Sequence, residues 1–171
     1  MKFVRYEVTS PFLEVTELRG NRPHYGIDYA MPEGTELRSV GNGVVERVVD
    51  FGTQDLGKGV FVKLNNGETA VYGHMNDIAV DVGDTVQLGD MLGHSGNTGF
   101  STGPHLHFAL KSVEGEFISP DKYSTAIQSL SGETIDQSFA TTHVLYEAFN
   151  RAVENLPTIT DSLTNFTDAL L

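Results

Sequence analysis

The sequence predicts a mainly β protein, a small antiparallel sheet or sandwich carrying a C-terminal α-helical extension, and three observations predict it. Short runs rich in Val, Ile, Tyr and Phe recur from Gly43 onward between turn residues. The chain spends 18 of its 171 residues on glycine, enough to mark a turn after each short run. Beyond Pro120 the apolar residues change from alternation to spacings of three and four, the period of a helix.

In chain order, Tyr6 to Phe12 (YEVTSPF) reads as a short strand stopped by Pro11, and Leu13 to Pro23 as a polar loop. His24 and Asp28 follow, four apart. That spacing suits one face of a helix, but Gly26, the β-branched Ile27 and the preceding Pro23 favour a loop entering a strand, with the two residues converging through a bend. Pro32-Glu33-Gly34 marks a turn. Gly43 to Val49 and Gly59 to Leu64 read as strands, and Asn65-Asn66-Gly67 joins the second to Thr69–Tyr72 as a hairpin. Val82-Gly83-Asp84-Thr85-Val86 and Leu88-Gly89-Asp90-Met91-Leu92-Gly93 form two similar glycine-turned units. His94, between Gly93 and Ser95-Gly96, is expected in a turn and without a role, and Asn97 to Gly103 as a loop feeding the next strand. Val144, Leu145, Ala148, Phe149, Ala152, Val153 and Leu156 make one helical stripe ended by Pro157, with His143 structural beside it. Ile159, Leu163, Phe166 and Leu170 make a second. The expected division is a catalytic domain over 1–123 and a helical extension over 124–171, serving assembly, anchoring or linkage to further sequence.

Composition narrows the function classes. Hydrophobic residues at 39% and charged residues at 20% are those of a globular domain. A formal net charge of -12 repels nucleic acid and anionic membrane surfaces, so neither is an expected partner. With no cysteine, disulfides, thiolate metal sites and cysteine nucleophiles are all excluded, and any metal must use His, Asp or Glu. No apolar run is long enough to span a bilayer, and Met1 to Ser10 lacks the apolar stretch of a secretory signal.

The chemistry centres on Gly103-Pro104-His105-Leu106-His107-Phe108. Successive side chains of a strand leave opposite faces, so His105 and His107 share one surface while Leu106 and Phe108 enter the other layer. An isolated pair of this kind is more often a surface pair, but the rest of the chain adds candidates. Were His24, Asp28 and His107 to bind one metal, two imidazoles and a carboxylate would suit zinc and leave an open position for water. His105 would then be within reach as a base, and His74 could hydrogen-bond a developing oxyanion.

The order H-x-x-x-D, then Tyr72-Gly73-His74-Met75, then Ser101-Thr102-Gly103-Pro104-His105-Leu106-His107-Phe108 resembles the lysostaphin and LytM type of zinc endopeptidases, which cut peptide bonds in bacterial peptidoglycan. Ser10-Pro11-Phe12, Gly26-Ile27-Asp28-Tyr29-Ala30, Pro32-Glu33-Gly34-Thr35 and the two Gly-Asp units extend the likeness from about Ser10 to Pro120. The resemblance implies a small antiparallel β fold with a groove over Zn2+, metal ligands at His24, Asp28 and His107, and catalytic histidines at His74 and His105. It also implies a peptidoglycan peptide as substrate and action at the bacterial cell wall, whether extracellular, periplasmic or virion-associated. The chain departs from the family where Phe-Gly-x-Arg is usual and Phe12-Leu13-Glu14 stands instead, so that edge of the groove is expected to differ. With no long segment ahead of the domain, an open site is expected.

Two other readings compete. A catalytically weak scaffold relative regulating other hydrolases would lack a ligand or a catalytic histidine, and none is missing. A lipoyl or biotinyl carrier needs a lysine at a hairpin tip, and no Lys lies between Lys63 and Lys111; phosphotransfer to His74 leaves Asp28 unexplained. Self-association through the C-terminal helices is the remaining expected partnership.

Overall fold

The computed structural model describes residues 5–132. Eleven strands lie among them, joined antiparallel into two sheets. β1 (Val8–Ser10), β2 (Ile27–Tyr29), β4 (Gly43–Asp50), β5 (Lys58–Leu64), β6 (Thr69–Gly73), β8 (Thr85–Val86) and β10 (Leu106–Lys111) run in the order β1-β2-β10-β6-β5-β4-β8, with β11 (Phe117–Ile118) also paired to β10. β3 (Glu36–Arg38), β9 (Met91–Ser95) and β7 (Met75–Ile78) form the smaller sheet in the order β3-β9-β7.

The strands form where the sequence alternates. Along β10, Leu106, Phe108 and Leu110 are fully buried, while His107 and Lys111 are only partly covered. Val60, Val62 and Leu64 of β5 and Tyr72 of β6 are buried as well. The Tyr72 ring meets Phe108 edge-on at 5.3 Å, and its hydroxyl accepts a hydrogen bond from the Val40 amide, so the one polar atom of a fully buried ring is satisfied. The β5–β6 hairpin turns at Gly67, whose φ is +87°.

A helix, α1 (Ser124–Leu130), follows a short 3-10 turn at Asp121–Tyr123 and buries Ala126, Ile127 and Leu130. It is tied to the chain's beginning. Gln128 accepts from the Tyr6 amide at 2.7 Å and donates to the Tyr6 carbonyl at 2.8 Å, and Ser124 meets the Tyr29 hydroxyl at 2.7 Å. The two amphipathic stretches at 144–156 and 159–170, and His143, lie outside the described residues. No described helix is long and apolar enough to cross a membrane.

Candidate active site

Strand register assembles the site. β10 lies between β2 and β6, and in those pairings His107 stands opposite Asp28 on one side and Gly73 on the other. Residues facing one another across antiparallel strands share a face of the sheet, so Asp28 and His107 meet, and the chain leaving Gly73 delivers His74 beside them. His24 arrives through the loop before β2. Its amide donates to the Glu14 carbonyl and its carbonyl accepts from the Leu13 amide, bonds of 2.9 and 2.7 Å that fix its backbone. The bend expected between His24 and Asp28 is therefore present, with Asp28 in β2.

Three atoms converge. Asp28 Oδ1 lies 2.9 Å from His107 Nδ1 and 3.1 Å from His24 Nε2, and the two ring nitrogens are 3.0 Å apart. His24 Nδ1 sits 3.1 Å from the Pro11 carbonyl, which can only accept, so Nδ1 carries a proton and Nε2 is the nitrogen turned to Asp28. Nε2 faces a carboxylate oxygen across 3.1 Å, an arrangement that either a proton on Nε2 or a metal ion between the two makes favourable. Around a tetrahedral ion with bonds of about 2.0–2.1 Å, ligand atoms lie about 3.3–3.4 Å apart, so the triangle needs to open only slightly to hold one. His24 and Asp28 are buried and His107 half-buried, and these three residues form a group that could hold a metal ion. Burial pushes the Asp28 carboxyl upward, but the hydrogen bonds and charge of His107 and then His24 outweigh it and hold the group well below the usual carboxylate range. Burial lowers the His107 imidazole against the raising effect of Asp28.

His105 and His74 flank the triangle. His105 lies one residue ahead of β10, with Nε2 3.7 Å from Asp28 Oδ1 and Nδ1 2.8 Å from the Gly103 carbonyl. His74 occupies the break between β6 and β7 at φ +59°, a left-handed conformation costly for a side chain with a Cβ. Its Nδ1 is 2.7 Å from the Thr98 carbonyl. Thr98 is itself fixed, since its hydroxyl donates to Met75 and accepts from the Lys58 amide. Both rings thus place their Nδ1–H on a backbone carbonyl and keep Nε2 for the cleft they line. Their centroids are 4.5 Å apart. Burial first, and then the neighbouring His105 and His107, lower His74 to about 4.

Above these residues opens a cleft of about 680 Å³ whose walls come from the loops before β2, between β4 and β5, and before β10. His94 is not among its lining residues. Expected in a turn, it lies within β9 with Nδ1 2.8 Å from Asp77 Oδ1, because the glycine before it lets two strands approach closely instead of reversing the chain. The sequence reading also passed over Ser10, Glu14 and Arg19, whose side chains back His24 and Asp28. Ser10 stands in the Ser10-Pro11-Phe12 motif and Glu14 at the departure from the family pattern, but no spacing ties either of them, or Arg19, to His24 or Asp28.

The profile of peptidase family M23 matches residues 22–120. Among curated proteins, the chain is 46% identical over 88 residues to an uncharacterized metalloprotease of Buchnera aphidicola subsp. Baizongia pistaciae, covering 52% of this chain and 23% of that protein. It is 41% identical over 88 residues to the glycyl-glycine endopeptidase ALE-1 of Staphylococcus capitis, covering 50% and 24%. Each match therefore spans less than a quarter of the relative's length. Among solved structures, a zinc containing peptidase from Vibrio cholerae superposes with a TM-score of 0.61 at 30% identity, over 67% of this chain and 36% of that one.

Proposed function

The chain belongs to peptidase family M23, and from that premise we propose that it is a zinc-dependent endopeptidase that hydrolyses peptide bonds of bacterial peptidoglycan, in the stem peptide or the cross-bridge. One observation carries the reading: His24 Nε2, Asp28 Oδ1 and His107 Nδ1 converge within hydrogen-bonding distances of one another beneath a cleft lined by His74 and His105. Two imidazoles and one carboxylate suit zinc and leave positions open for water and substrate. The metalloprotease, endopeptidase and zinc-containing relatives support the same reaction class.

Zinc held by His24, Asp28 and His107 would supply a Lewis acid that polarises the scissile carbonyl and activates water near neutral pH. The remaining work falls to the chain. His105, with its Nδ1–H fixed on Gly103, offers Nε2 as the base that takes the proton from the attacking water. The proton that His105 takes from the water passes on to the leaving amine as the amide C–N bond breaks, and His74, the second candidate catalytic histidine, lines the cleft beside it with its Nδ1–H held by the Thr98 carbonyl and the ring centroids 4.5 Å apart. The setting we infer is the bacterial cell wall.

The test is metal content of the purified chain beside turbidity loss of purified peptidoglycan, with and without chelator. We expect one zinc per chain and chelator-sensitive lysis. His107→Ala and Asp28→Ala should lose metal and activity together. His105→Ala should keep zinc and lose turnover by on the order of 10²-fold or more. A chain without zinc would sink the reading, and equal zinc loss in His105→Ala would undo the division between ligand and base.

A further inference from the structure

The Asp28 carboxylate divides its two oxygens. Oδ1 faces His24 and His107, while Oδ2 accepts a hydrogen bond from Arg19 Nη2 at 2.9 Å. The other terminal nitrogen, Nη1, lies 3.5 Å from Glu14 Oε2. Glu14 Oε2 accepts the Ser10 hydroxyl at 2.6 Å. With its proton given to Glu14, Ser10 Oγ is left to accept from His24 Nδ1–H at 3.0 Å. The contacts close into a ring: Asp28, Arg19, Glu14, Ser10, His24 and back to Asp28. Every member but Asp28 comes from β1 or the loop between β1 and β2, the stretch in which Phe12-Leu13-Glu14 departs from the family pattern.

We propose that Arg19, held by Glu14, is a positioning residue for the metal centre: its guanidinium fixes Asp28 Oδ2 so that Oδ1 is presented to the ion, and the Glu14–Ser10 arm does the same for His24. The inference rests on the metal-centre reading above. Its physical basis is the fork of the guanidinium, which can hold two carboxylates at once in a fixed relative orientation. Without it, the side chain of Asp28 would be free to turn either oxygen toward the imidazoles. Groups that hydrogen-bond a metal ligand from behind set its orientation and influence metal affinity on the order of 10–100-fold.

Electrostatics alone predicts the opposite sign. A guanidinium one carboxylate away repels a divalent ion, so removing its charge should tighten binding if charge were all that mattered. Positioning predicts weaker binding. A purely structural role, pinning the loop, predicts a lower melting temperature of the zinc-free chain with zinc affinity unchanged.

The experiment measures zinc affinity of the whole chain by competition with a chromophoric chelator, beside thermal melting of the zinc-free form, for wild type, Arg19→Gln and Arg19→Lys. We expect Arg19→Gln to bind zinc on the order of 10-fold or more weakly. Arg19→Lys, which keeps the charge but loses the planar two-nitrogen fork, should fall between the two. Wild-type or tighter affinity in Arg19→Gln overturns the proposal. Should Arg19→Gln fail to fold, Arg19→Lys decides, and wild-type affinity there overturns it equally. If the wild-type chain itself takes up no zinc, the failure belongs to the proposed function and not to Arg19.

Discussion

His107 occupies its place because Gly26 has no side chain. A Cβ at Gly26 would stand 2.5 Å from His107 Cε1, 2.7 Å from Nε2 and 2.9 Å from the Phe108 carbonyl oxygen. A planar ring held between strands has no slack to absorb that contact, so Gly26→Ala should push the imidazole off Asp28, destabilise the fold by roughly 1–3 kcal/mol and abolish stoichiometric zinc uptake. Metal content and a thermal melt on the same sample test this, and a Gly26→Ala chain that binds one zinc would contradict it. His74 makes a prediction about pH. Its folded pKa of about 4 lies below the ordinary value of 6.5, so between those limits the unfolded chain binds the proton that the folded chain refuses. Stability of the zinc-free chain should be whole above about pH 6.5 and decline as pH falls toward 4, by up to about 3 kcal/mol from this residue. In chelator, His74→Gln should flatten that part of the stability profile measured by denaturant titration. An unchanged slope would place the titration elsewhere.

The turn after β1 links backbone conformation to the site. Leu13 adopts φ +65°, a left-handed conformation, at the position where the family pattern has glycine, so the chain keeps the turn that glycine would allow while carrying a side chain there. The side chain is 54% exposed and contributes little burial to offset the strain. Leu13→Val, β-branched in a left-handed conformation, should cost roughly 1–2 kcal/mol, whereas Leu13→Gly should hold or gain stability. Melting temperatures of the two variants test this, and a Leu13→Val as stable as wild type would show that the turn is not strained. Turns of this kind also mark what the sequence could and could not reveal. The strands were legible because alternation is local: the covered Leu106 and Phe108 against the partly exposed His107 can be read from neighbours alone. The candidate ligands were legible because strand periodicity and motif order name residue types. Arg19, Glu14 and Ser10 were not, because their contacts depend on how a loop folds back across β2, and no short-range pattern encodes that path. His94 was misread because glycine marks a close approach of strands as well as a turn, and Gly93, whose Cβ would meet the Asp77 carbonyl at 2.3 Å, serves the former.

At the scale of the whole chain, charge opposes the proposed substrate. A formal net charge of -12 sets the molecule against any wall bearing anionic polymers, and the repulsion acts on encounter, before the cleft engages a peptide. Encounter is a long-range step. It feels charges out to roughly one Debye length, about 30 Å at 10 mM salt and about 8 Å near physiological ionic strength, and the repulsion is relieved as salt shortens that length. Chemistry in the cleft is short-range, and the charges nearest the triangle are in direct contact, the Arg19 guanidinium lying against both Glu14 and Asp28. The two steps therefore respond differently to salt. Turbidity loss of anionic walls should accelerate between about 10 mM and 150 mM monovalent salt, while cleavage of a small neutral peptide carrying the same bond should stay nearly flat. Parallel salt series on the two substrates separate encounter from chemistry. Acceleration on both would place the salt effect in the cleft itself. Slowing on walls would mean that a basic surface, such as the Arg22 edge of the cleft, governs approach in spite of the net charge.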